Sequence, residues 1–153
     1  MFLRYILKRY LDYLPPTFVP EPYLETKPLS YSGKTRNGEK LMKVFNYQTV
    51  NPEGVEGGAS KVNVRRLITK DMGAKNFAMR LFEIEIGGYS PLHTHAWEHE
   101  VFILEGEGVV FDGEKATSFK ADDVVFVPSE ERHQFRNTGR KQLKFLCLIP
   151  NEK

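Results

Sequence analysis

From position 42 onward, hydrophobic residues recur in short alternating runs: VNVRRLIT at 62–69, FAMRLFEIEI at 77–86, EHEVFIL at 98–104, DVVFVP at 123–128 and QLKFLCLI at 142–149. Alternation with period two places successive side chains on opposite faces of a strand. Runs at 44–50, 108–111, 117–119 and 133–136 are also predicted as strands. Turn signals separate them at Asn51-Pro52, Gly57-Gly58, Gly87-Gly88, Gly106 and Gly108, Asp112-Gly113 and Gly139. The Asp-Gly pair after VVF predicts a tight hairpin. No long helical period interrupts the runs, so the crossover helices that a parallel sheet needs are missing. The expected fold class is therefore all-β, a small antiparallel barrel or sandwich.

The first forty-one residues have another character. FLRYILKRYLDYL at 2–14 sets Leu3, Ile6, Leu7, Tyr10, Leu11 and Leu14 at helical spacing, with Arg4, Lys8 and Asp12 on another side. That pattern predicts a short amphipathic helix, ended by Pro15 and Pro16. Residues 15–41, rich in Pro, Ser, Gly and Lys, read as an extended tether. Five of the seven tyrosines and five of the nine prolines fall in 1–41, where seven Lys/Arg against four Asp/Glu give +3. The expected division is an N-terminal arm over 1–41 and one β domain over 42–153. A separate hypothesis makes Met42 the true start, with residues 1–41 appended, and mass spectrometry of the native protein tests it.

Composition narrows the partners. The full chain has 153 residues and a net charge of +2, too balanced to require nucleic acid. Arg65-Arg66 and Arg140-Lys141 are isolated basic pairs, expected at strand ends as solvated charge rather than a nucleic-acid footprint. No apolar run reaches the ~18 residues of a membrane-spanning helix, and Lys8, Arg9 and Asp12 interrupt any secretory core. The default location is the cytoplasm. A single cysteine, Cys147, excludes an internal disulfide framework. Gly106-Glu107-Gly108 lacks the third glycine and the helix of a dinucleotide fingerprint.

The candidate chemistry lies in four histidines, all between residues 93 and 133. His93, His95 and His99 share one parity, which on a regular strand puts them on one face. His133 follows after a hairpin and another strand, far enough along to return across the same cavity. Neutral imidazole is a ligand for Zn, Cu, Fe and Ni, and three on one wall make most of a coordination shell. The predicted metal ligands are His93, His95, His99 and His133.

These residues carry a resemblance to the cupin superfamily. Its first motif, G-x5-H-x-H-x(3–4)-E-x6-G, fits Gly87, His93, His95 and Gly106, with His99 where glutamate is usual. Glu100 would fit the longer spacing, but the closing glycine would then fall on Glu107, and its parity is wrong. The second motif, G-x5-P-x-G-x2-H-x3-N, fits Pro128, His133 and Asn137, with Asp122 and Glu130 in its two glycine slots. HTHxWEHE, VPxxxxHxFRN and FLCLIP are similar to small single-domain cupins with a four-histidine site described as binding manganese. The resemblance implies a double-stranded β-helix of jelly-roll type and a divalent transition metal, manganese foremost, with Fe, Zn, Ni or Cu as alternatives. It also implies a homodimer.

Four neutral ligands leave the full +2 of a divalent ion uncompensated, so the centre should draw an anionic or enolate-like chelating molecule. The leading expectation, by resemblance, is a metal-dependent enzyme of dioxygenase-like chemistry acting on a small chelating substrate. Two alternatives stand beside it: a non-catalytic metal and ligand-binding cupin acting as sensor or accessory module, and a metal-dependent sugar isomerase. Candidate pocket residues are Trp97 and Phe135, by parity with the ligands, and Phe145 and Cys147, which the resemblance turns toward the cavity. Each also reads as plain core, and Cys147 reads better as a small buried hydrophobe. Glu98 and Glu100 are expected to face outward.

Overall fold

The computed structural model describes residues 42–151. The predicted helix at 2–14 and tether at 15–41 lie outside the described residues. Within them the strands are β1 Glu53–Gly54, β2 Ser60–Ile68, β3 Phe77–Tyr89, β4 His99–Glu105, β5 Glu107–Phe111, β6 Ala116–Lys120, β7 Val124–Val127, β8 Gln134–Asn137 and β9 Leu143–Pro150. Every pairing is antiparallel, in the order β6-β5-β8-β3-β9-β4-β7, with β2 on β3 and β1 on β2. The result is a nearly closed antiparallel β-barrel, as the alternating runs predict.

β3 joins the two walls. Its first eight residues, from Phe77 to Ile84, pair with β9, and its last, Tyr89, pairs with Arg136 on β8. Between them the β2 partner jumps from Ile84 at Val62 to Tyr89 at Ser60, so 85–88 bulge out of register. Gly87 carries the left-handed φ of 71° that this bulge needs. The glycine pair thus bends a strand rather than ending it.

Two further expectations change. The run 44–50 forms no strand: Asn46 caps a 3-10 turn at Tyr47–Thr49, its Oδ1 accepting from the Gln48 N–H at 2.9 Å. Such local bonds give the backbone an alternative to a ladder. The basic pair Arg65-Arg66 sits inside β2, where Arg65 meets Glu83 at 2.9 Å and Arg66 meets Glu53 at 3.1 Å.

The core follows the period-two pattern. Leu143, Phe145 and Cys147 on β9 alternate inward against Val101 and Ile103 on β4, and Val62, Ile84, Phe119, Val127 and Phe135 close the cluster. Leu146 and Leu148 take the opposite face of β9 and remain half-buried. Burial of this set is the main stabilising contribution. It also leaves His99, one step before Val101 on the same inward row, inside the barrel wall.

Candidate metal centre

The four histidines meet, though by a different route from a single alternating strand. Only His99 lies in a ladder, at the start of β4. His93 forms one isolated bridge with His133: its N–H donates to the His133 carbonyl at 3.2 Å and its carbonyl accepts in return at 3.0 Å. His95 sits in the loop between them. That loop is stitched to 129–133 by the Glu130 N–H donating to the His95 carbonyl at 2.9 Å and Ser129 Oγ donating to the Ala96 carbonyl at 2.8 Å. At the base of the loop, Ser90 Oγ accepts from the Phe135 N–H at 2.9 Å. Backbone pairing between two distant segments, rather than parity, converges the rings.

One ligand atom from each ring lies within 4.8 Å of all the others. Opposed nitrogens on a single ion with ~2.1 Å bonds stand about 4.2 Å apart, so a small contraction would seat one ion. The ring tautomers suit that use. His93 Nδ1–H donates to the Pro91 carbonyl at 3.0 Å and His133 Nδ1–H to the Glu131 carbonyl at 2.9 Å, each two residues back. Their Nε2 lone pairs are thereby left free. His133 is only 2% exposed, and its Nε2 has no hydrogen-bond partner, an unsatisfied position that an ion would fill. His95 Nε2 lies 2.6 Å from His99 Nε2. The donor set therefore fits a divalent transition metal.

Burial favours the neutral form of three of the four rings. Burial is the first cause that lowers the His99, His133 and His95 pKa values, and it takes His99 down to about 2, with the Arg80 charge adding to the effect. A neutral ring has a lone pair to give. The cluster of potential ligands contains no carboxylate. Glu98 and Glu100 are exposed, as expected.

The remaining candidates surround the cluster. Trp97 stacks on His95 at 4.3 Å with the planes 8° apart. Phe135 borders His133 at 6.4 Å and packs on Phe145 at 4.8 Å, and Phe82 stacks beneath Phe145 at 5.1 Å. Phe135 and Phe145 are buried in the core as a floor under the histidines. Cys147 is buried too, but its Sγ lies 3.0 Å from His99 Nδ1. Sequence reasoning missed Arg80, whose Nη2 reaches both that sulfur at 3.0 Å and His99 Nδ1 at 3.2 Å. The signal was there: Arg80 alternates in step with Phe82 and Ile84, a charge on a row that otherwise faces inward.

A small antiparallel barrel with four imidazoles gathered inside one wall defines the class as a histidine-cluster β-barrel. The chain belongs to the cupin family: residues 80–149 match its cupin domain. It is 37% identical over 107 residues to the oxalate-binding protein of Thermotoga maritima, covering 65% of this chain and 87% of that one. It is 33% identical over 98 residues to the 1-methylthio-D-xylulose 5-phosphate methylsulfurylase of Rhodospirillum rubrum, covering 64% of this chain and 63% of that enzyme's length. Among solved structures, the polyketide cyclase RemF of Streptomyces resistomycificus superposes with a TM-score of 0.69 at 31% identity, covering 73% of this chain and 81% of that one.

Proposed function

We propose that His93, His95, His99 and His133 hold a divalent transition metal, manganese foremost, and that the ion takes a small chelating anion, with a dicarboxylate such as oxalate as the first class to test. The observation that carries this reading is the charge of the cavity. Burial favours the neutral form of His95, His99 and His133, a guanidinium stands behind His99, and the cluster of potential ligands contains no carboxylate. When bound, the ion would supply a Lewis acid. The chain's own residues would do the rest: two backbone carbonyls orient His93 and His133, and the Phe135–Phe145 floor excludes water beneath the rings. Trp97, stacked on His95 with its buried Nε1 lacking a hydrogen-bond partner, is the pocket residue assigned to the anion on this reading. The oxalate-binding relative supports the ligand class.

A second reading keeps the same bound anion and adds turnover, dioxygenase-like in chemistry as the sequence resemblance suggests. The enzyme relatives support catalysis on this scaffold, although one fold serves many reactions. A homodimer and a cytoplasmic location belong to the same proposal, with sedimentation and cell fractionation as their tests.

Elemental analysis followed by calorimetric titration with oxalate, before and after metal removal, tests the first reading. The expected result is one ion per chain and anion binding that disappears with it. His95→Ala and His133→Ala should lose both. Equal oxalate binding by metal-free protein, or no metal taken up by the wild type, overturns it. Oxygen uptake with a panel of catechols, diketones and hydroxy acids decides for or against turnover.

A further inference from the structure

Arg80 enters the barrel from β3, directly opposite Cys147 on β9. Its guanidinium carbon sits 5.1 Å above the Phe82 ring, which fixes the direction of the side chain. Nη2 then meets Cys147 Sγ at 3.0 Å and His99 Nδ1 at 3.2 Å, while Sγ and Nδ1 are themselves 3.0 Å apart. The three atoms close a triangle behind His99, on the side away from the cluster, since His99 Nε2 faces His95.

The roles within the triangle are constrained. Guanidinium nitrogens only donate; a neutral imidazole carries one proton and offers one lone pair. If His99 Nδ1 accepted from Arg80, its proton would sit on Nε2, pointing into the cluster and blocking that nitrogen. If Nδ1–H instead donates to sulfur, Nε2 presents its lone pair to the cluster, accepting from His95 Nε2–H at 2.6 Å in the metal-free protein. Sulfur can accept from both N–H groups while its own proton turns to the Leu148 carbonyl, 4.0 Å away. His93 and His133 already show the same device with carbonyl acceptors. The buried Nε2 of His133, without a partner, shows the interior toward which these lone pairs are aimed.

We propose that Cys147 Sγ is the acceptor that holds His99 in its Nδ1–H form, and that Arg80 holds the sulfur in place, making both positioning residues for one metal ligand. This rests on the reading that the four imidazoles bind a metal. It assigns Cys147 more than a packing role. Its sulfur partner also distinguishes His99 from His93 and His133, whose Nδ1–H goes to a backbone carbonyl.

The test compares Cys147→Ala, Cys147→Val and Cys147→Ser in three measurements: Mn2+ dissociation constant, melting temperature of the metal-free protein, and the His99 tautomer by 15N–1H correlation spectra without metal. Loss of such an outer partner weakens metal binding about 10- to 100-fold. Ala and Val should show that loss, and Ser, whose Oγ accepts a hydrogen bond, should recover most of it. A purely packing role predicts the opposite order, with Val best and Ser worst, and affinity following melting temperature. In the spectra, wild-type His99 should be the Nδ1–H tautomer, shifting toward Nε2–H in the Val variant. Unchanged affinity and tautomer in Ala and Val overturn the proposal. If wild type binds no Mn2+, the metal reading fails on its own, and the metal-free tautomer still decides this one. If the Cys147 variants do not fold, Arg80→Met decides by the same spectra: it keeps the stem over Phe82 but frees the thiol proton to turn toward Nδ1, so an unchanged tautomer counts against the proposal.

Discussion

Acid should destabilise the metal-free protein at a pH where its carboxylates are still ionised, and His99 should account for a measurable part of the loss. Folding lowers its pKa from 6.5 to about 2, chiefly by burial. Below pH 6.5 the unfolded chain takes up a proton that the folded chain refuses, so stability falls as pH falls. The contribution is fully present above 6.5 and is lost progressively down to the folded value. Linkage puts the loss between pH 7.5 and 5.0 at about 2 kcal/mol for this one group. For a domain of this size that is a drop of roughly 6–10 °C in melting temperature. His133 and His95 are shifted in the same direction by the same cause and add to it. Thermal denaturation followed by circular dichroism, with chelator present, measures the slope. His99→Gln, neutral throughout, should be less sensitive to acid than wild type by about the same 2 kcal/mol. Identical pH profiles for the two proteins would refute the account of a ring held neutral by burial.

Gly108→Ala should destabilise by about 2–3 kcal/mol or disturb the β5–β8 pairing, because a Cβ there would stand 2.2 Å from the Arg136 carbonyl oxygen. Gly54→Ala, with nothing within 4 Å, serves as control and should stay within about 0.5 kcal/mol in urea denaturation. Asn137→Ala should cost about 2–4 kcal/mol, since the buried side chain donates to the Ile84 and Lys141 carbonyls and accepts from the Gly139 N–H. Anion and ion should also bind with reciprocal cooperativity: oxalate should tighten Mn2+ binding by the same factor that Mn2+ tightens oxalate binding. A coupling factor of one, with oxalate leaving the Mn2+ affinity unchanged, would mean that the anion does not bind at the ion.

The all-β class, most strand positions and the inward row of β9 were legible because period-two burial writes itself directly into sequence. Leu143, Phe145 and Cys147 alternate with half-buried residues as the hydrophobic pattern implies. The four histidines were legible as a set by spacing, but their parity was a misleading guide. His93 and His95 lie outside any ladder strand, and hydrogen bonds from 129–133 hold the loop that carries them. Those contacts are long-range and have no local signature. Val44 and Phe45 suggested a strand, but a side-chain cap at Asn46 won locally. Arg80 was overlooked for a similar reason: an inward charge has meaning only once the sulfur and imidazole it meets are known.

Asp122 and Glu130 show what the two glycine slots of the second cupin motif require. Both residues adopt left-handed backbone, with φ of 73° and 65°, the conformation that glycine reaches without strain. The turns around β7 are therefore kept while the residues that make them easy are not. Non-glycine residues in this region cost about 1–3 kcal/mol and persist only where surrounding contacts over-determine them. Those contacts are present: the Asp122 N–H donates to the Ile103 carbonyl at 3.0 Å, and the Glu130 N–H to the His95 carbonyl at 2.9 Å. The second bond ties the strained residue to the ligand loop itself. Relaxing Glu130 to an ordinary φ would redirect its N–H and release His95, so the position of that ligand and the strain at Glu130 are held by one and the same hydrogen bond.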